Sequence, residues 1–228
     1  MERYAIYFAP LRDHKLWNFG CASIGYDSAI GQTVPLHKHR IYQKPEIHEW
    51  TRAPRRYGFH ATLKAPFHLA EGKSLSDLKI AASEFCLSRK KFFIKRLEIM
   101  PIGDFLALVP AAPSSELNAL AKDCVKKFEA FRAPLNSTDY AKRLEAPLTK
   151  NQISHLNIWG YPYVLDEFRF HMTLTGRLPK KVKTAMLTTL RNIYAPLDGP
   201  VEIGSIAICS QSTRAAQFKV SEFFEFGR

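Results

Sequence analysis

The chain has 228 residues, 46% hydrophobic and 24% charged, an ordinary globular usage that excludes a disordered or fibrous class. That length supports a well-buried core without disulfide or metal staples, as one large domain or two closely packed halves. Thirty-three Lys and Arg against 21 Asp and Glu give a net charge of +12, which draws anions but does not tell a small phosphate ester from a nucleic acid, or either from plain solubility.

In chain order, Tyr4 to Ala9 reads as a strand. The segment from there to Pro54, dotted with Gly20, Gly25, Gly31, Pro35 and Pro45, reads as mostly loop with a helix around Lys15 to Phe19. Arg56 to Pro66 reads as a strand. Ser74 to Ser88 reads as a helix, opened by Ser74 with Asp77 at capping-box spacing. Strands Phe92 to Met100 and Phe105 to Val109 follow, joined by a turn carrying Pro101, Gly103 and Asp104.

After Ser115 the apolar spacing is helical, and a second helical region runs from Thr138 to Trp159 with a break at Pro147. Phe168 to Thr175 is strand-like, Pro179 suits the start of a helix reaching Tyr194, and Val201 to Cys209 and Gln217 to Phe226 close the chain as strands. The order strand, helix, strand, strand thus occurs twice, over 56–109 and 168–226, as in an internal duplication.

Cys21, Cys86, Cys124 and Cys209 are scattered without a Cys-x-x-Cys pair, which predicts reduced thiols and a cytoplasmic location. Residues 1–10 read as a buried strand rather than a secretory signal, and no run approaches the roughly 18 apolar residues of a membrane span, so no membrane partner is expected.

Of the eight histidines, only His60 and His171 are followed two residues later by a hydroxyl, and both stand in Phe-His-x-Thr-Leu. They occupy the same strand of the two repeats. Alternation on a strand puts Arg56, Gly58, His60, Thr62 and Lys64 on one face, and Arg169, His171, Thr173 and Thr175 on one face of the other strand. If an approximate twofold axis relates the halves, the two polar faces meet across a cleft holding two imidazoles, two threonines and several cations.

In-line cleavage of a phosphodiester needs a base on one side and an acid on the other, and imidazoles with an ordinary pKa of about 6.5 suit both tasks. Thr62 and Thr173, roughly 6 to 7 Å along the strand from their histidines, can bond the non-bridging phosphate oxygens. Lys64 and Arg169 are placed to stabilise their charge. Arg56 and Tyr163, the latter in the aromatic run Trp159 to Tyr163, are further candidates for substrate contact, against the plainer readings of a solvated charge and a packed turn. His37-Lys-His39 has spacing for a metal but no completing ligand, and reads as a surface loop.

Phe59-His-Ala-Thr-Leu63 and Phe170-His-Met-Thr-Leu174 resemble the two-histidine phosphoesterase superfamily, which includes RNA 2′,5′-ligase-like proteins and cyclic phosphodiesterases. The segments 3–10, 55–67, 105–110, 131–135, 159–164 and 168–178 further resemble its bacterial branch associated with phosphonate metabolism. The resemblance implies one bilobal α+β domain over 1–228, with antiparallel sheets flanked by helices around a central cleft. One lobe would span about 50–135 and the other about 160–228 plus the N-terminal strand. It implies no cofactor and no metal, and a small phosphorylated partner, a ribosyl cyclic phosphate being the first expectation. An RNA end carrying a 2′,3′-cyclic or 2′,5′ linkage is the enzymatic alternative, and a phosphate- or RNA-binding module in which the histidines only bind is the non-enzymatic one.

Overall fold

The run Arg3-Tyr-Ala-Ile-Tyr-Phe is apolar at almost every position because its strand is covered on both faces: Tyr4, Ile6 and Phe8 join the main core, while Ala5 and Tyr7 enter a separate small cluster on the other side. The computed structural model describes residues 2–227. Along the chain come β1 (Arg3–Phe8), α1 (Lys15–Ile24), β2 (Tyr26–Asp27), β3 (Gln32–Thr33), α2 (Ile47–Tyr57), β4 (Ala61–Phe67) and α3 (Leu75–Leu87). β5 (Phe92–Ile94), β6 (Leu97–Ile102), β7 (Phe105–Pro110), α4 (Ser115–Lys127), α5 (Ser137–Leu144) and α6 (Lys150–Trp159) follow. The last elements are β8 (Met172–Thr173), α7 (Lys180–Tyr194), β9 (Val201–Ile203), β10 (Ser205–Gln211) and β11 (Lys219–Glu225).

The fold is α+β with antiparallel pairing throughout its main sheet, and the strands of both repeats join into one seven-stranded sheet, ordered β11-β10-β1-β4-β8-β7-β6. Two short two-stranded ribbons, β2-β3 and β5-β9, complete it. The repeats exchange parts. The β6–β7 hairpin of the first repeat pairs with β8 of the second, and α7 packs on that hairpin; α3 packs on β10 and β11. One face of the sheet holds the large core, with α3, α4 and α7 contributing Leu78, Phe85, Leu117, Leu120, Met186 and Leu190. The other face, around Ala5, Tyr7, Ala207, Cys209 and Phe218, leaves room for a site.

Several expectations are corrected. The stretch before Pro54 is not mostly loop: α1 runs to Ile24, and α2 occupies 47–57 despite Pro54 inside it. Pro54 cannot donate to the Trp50 carbonyl four residues back; the Gly176 N–H does so instead, which ties this helix to the segment after β8. Arg56 therefore belongs to the last turn of α2, not to a strand shared with His60. Gly58, at φ 78, turns the chain from helix to strand in a conformation that side chains with a Cβ avoid. The expected strands 92–100 and 201–209 are each broken in two, and of 168–175 only Met172 and Thr173 join the ladder. The capping box at Ser74 and Asp77 is present. Among the described residues no helix is long and apolar enough to cross a membrane, and all four cysteines are free and buried.

Candidate active site

The site is built at the seam between the repeats. β4 and β8 touch through a single register pair, Ala61 with Met172. One step further along that antiparallel register in either direction sets His60 opposite Thr173 and Thr62 opposite His171. His60, Thr62, His171 and Thr173 all line one cavity of about 210 Å³, together with Arg3, Tyr7, Tyr57, Arg143 and Tyr161. Among the described residues no carboxylate lines it.

Both rings are tethered in the same way. His60 Nδ1 lies 2.9 Å from the Gly58 carbonyl and His171 Nδ1 lies 2.8 Å from the Arg169 carbonyl, each two residues upstream. A carbonyl only accepts, so each Nδ1 carries a hydrogen and donates it, which leaves Nε2 as the reactive nitrogen. His60 Nε2 is 3.1 Å from Thr62 Oγ1 and accepts a hydrogen bond from that hydroxyl when the ring is neutral. Tyr7 stacks on the His60 ring with centroids 3.6 Å apart at 21°, and burial holds the Tyr7 phenol protonated by pushing its pKa well up.

Burial pulls the His60 pKa down to about 4; the hydrogen bond to Gly58 opposes the shift and the nearby His171 adds to it. Both imidazoles line the one cavity. A neutral ring beside a protonatable one, with two hydroxyls and two guanidiniums around them, can move protons at an anion held between.

Lys64 is not on this face. Tyr7 pairs with Thr62 and Ile6 with Lys64, so β4 holds one residue more than β1 between those pairs, and the resulting bulge turns Lys64 toward the main core. There it is 3% exposed, and its ammonium donates to Glu129 Oε2 at 2.7 Å and to the Val125 carbonyl at 3.1 Å. Arg169 and Tyr163 are exposed and line an adjoining cavity of about 280 Å³ that also takes in His171 and Thr62. Arg56 lines a third cavity, of about 370 Å³.

The sequence reading missed Arg3, Tyr7, Tyr57 and Arg143, and held Tyr161 only as a member of the aromatic run Trp159 to Tyr163. Their only signal was incidental, since a strand tyrosine and a helix arginine look alike wherever they point. His37 is a packing residue, bonded to Ser23 Oγ at 2.9 Å and set against Phe19 and Tyr42, and His39 caps a 3₁₀ turn. Among the described residues no three His, Cys, Asp or Glu side chains gather as metal ligands.

An antiparallel α+β fold with two His-x-Thr strands facing one cationic cavity is the class of protein this structure defines. The chain belongs to the family of proteins of unknown function DUF1045, whose profile matches residues 62–219. It is 35% identical over 230 residues to the ribose 1,5-bisphosphate phosphokinase PhnN of Janthinobacterium sp. (strain Marseille), covering 100% of this chain and 50% of that one. It is 32% identical over 204 residues to the PhnN of Laribacter hongkongensis (strain HLHK9), covering 86% and 47%. The chain thus spans about half the length of these curated relatives. Among solved structures it is similar to E. coli LigT complexed with 3′-AMP, at 12% identity and a TM-score of 0.47, covering 100% of this chain and 99% of that one.

Proposed function

We propose that this protein hydrolyses a small cyclic phosphodiester by acid-base catalysis between His60 and His171, without a metal. The observation that carries the reading is the pair of rings tethered alike through Nδ1, with both Nε2 atoms left for one cavity that also holds Thr62 and Thr173. His60, with its depressed pKa, is the base, and His171 is the acid. Water attacks phosphorus while its proton passes to His60 Nε2; the bond from phosphorus to one ring oxygen breaks, and that oxygen takes the proton of His171 Nε2. The product is a ring-opened phosphomonoester. The two threonine hydroxyls and the guanidiniums of Arg3 and Arg143 take the non-bridging oxygens, where negative charge accumulates.

The substrate is a ribosyl cyclic phosphate. The two relatives named for a ribose bisphosphate support a sugar phosphate over an RNA end, as does a reacting cavity of only about 210 Å³. Turnover of ribose 1,2-cyclic phosphate and of 2′,3′-cyclic nucleotides in EDTA tests it. His60→Gln and His171→Gln should each lose about 100- to 10,000-fold in kcat. Loss of all activity in EDTA with recovery on adding zinc would overturn the reading, as would binding without turnover across that panel.

A further inference from the structure

The cavity of about 370 Å³ beside the histidines shares Arg3, Tyr57, Ala65, Pro66, Arg143 and Tyr161 with the reacting cavity, so the two are compartments of one cleft. Seven cationic side chains line the larger compartment, and Asp139 is its one acidic lining residue among the described residues. Three of the cations are engaged: Lys64 and Arg132 by Glu129, and Arg214 by Asp139. The other four, Arg3, Arg56, Lys142 and Arg143, make no ion pair among the described residues.

Among the described residues the Arg3 side chain donates to the neutral amide oxygen of Gln211, and the Arg143 guanidinium lies 4.7 Å over the Tyr161 ring at the wall common to both compartments. Burial first, and the neighbouring Arg214 second, pull the Arg3 pKa down. Cations gathered around one concavity attract an anion, and guanidinium forks fit phosphate oxygens in pairs.

We infer that this compartment is a second phosphate subsite, and that the substrate is a small molecule carrying a phosphomonoester in addition to the phosphodiester that reacts between the histidines. The inference rests on the reading of the smaller cavity as a phosphodiester site. Arg3 and Arg143 stand at the wall common to both compartments and also serve the reacting phosphate, so a monoester dianion answers Arg56 and Lys142 with that wall, and its anchoring there would orient the cyclic phosphate against His60 and His171. The flank lined by Tyr163 and Leu165 is left for the apolar part of the ligand.

Calorimetry with product-like ligands separates this inference from the reaction itself. Adenosine 3′,5′-bisphosphate should bind the wild-type chain at least about tenfold more tightly than adenosine 3′-monophosphate. In a Lys142→Gln, Arg143→Gln variant that preference should fall to within about threefold. Circular dichroism of the variant establishes that it is folded, and if it is not, Arg56→Gln replaces it. Equal affinities of the two nucleotides for the wild-type protein would overturn the subsite. So would tighter binding of a 3′-phosphorylated RNA oligomer than of the bisphosphate, because the compartment would then be a track for a chain. Absence of turnover on every cyclic phosphate, with the binding preference intact, would remove the reaction and leave the subsite.

Discussion

His60 and His171 are each tethered by a backbone carbonyl two residues upstream, and burial pulls the His60 pKa down to about 4. That shift sets the pH behaviour in two ways. The profile of kcat/KM reports the free enzyme, so its acid limb should fall at about 4 if His60 is the base. An acid limb near 6.5, the ordinary imidazole value of about 6.5, would reassign the base to another group. For stability, a folded-state pKa below the unfolded one means that the unfolded chain binds more protons between those values. Stability is therefore full above about 6.5 and declines as pH falls toward 4. Replacing His60 by Gln should make the thermal midpoint fall less steeply over that window than in the wild type.

Lys64 supplies the contrast. Lys64→Met should lower stability by about 1 to 3 kcal/mol, since it leaves the Val125 carbonyl and one Glu129 oxygen without their donor. It should leave the histidine chemistry within about threefold. A thousandfold loss of kcat with an unchanged midpoint would put Lys64 back in the site. Strict alternation read His60 and Thr62 onto one face and carried Lys64 with them. A one-residue bulge in β4 depends on how β1 pairs with it, which no local pattern contains.

At the scale of elements, the catalytic strand is aimed by what precedes it. The Gly58 carbonyl holds His60, and a Cβ at Gly58 would lie 2.7 Å from Ser28 on a backbone already at φ 78. On the far side, a Cβ at Gly20 in α1 would come within 2.0 Å of the Phe59 ring. Gly20→Ala must therefore push Phe59, and through the chain His60, out of place. The expected cost is about 1 to 3 kcal/mol of stability with a larger fall in kcat than an equally destabilising change in the α7 core, such as Leu190→Ala, produces. Matched losses of kcat in the two variants would mean that α1 only supports the fold. The capped helices and the β6–β7 hairpin were legible because Ser74, Asp77 and Gly103 act locally. α2 was not, because Pro54 forbids a helix by propensity, and the compensating Gly176 donor lies 122 residues away in sequence (176 − 54).

Across the whole molecule, the duplication was readable as an order of elements, whereas the exchange of hairpins was not, since strand pairing is non-local. β8 of the second repeat pairs with the first repeat's β6–β7 hairpin, and β4 of the first reaches the second repeat's β10–β11 hairpin through β1. Fragments 2–135 and 136–227 should accordingly be unfolded alone by circular dichroism and should regain a folded signal when mixed. A fragment that folds by itself would contradict this dependence. The net charge of +12 was visible from composition, but its focus on one cleft emerges only when Arg3, Arg56, Lys142 and Arg143, from three separate segments, converge there.

The seam between β4 and β8 is closed by a single register pair, while the hairpins on either side are zipped along six. Warming or mild denaturant should loosen that narrow stitch first, parting the two imidazoles while the flanking ribbons and their helices stay intact. Such a protein would fall silent before it unravels, its turnover lost at a lower denaturant concentration than its far-ultraviolet signal.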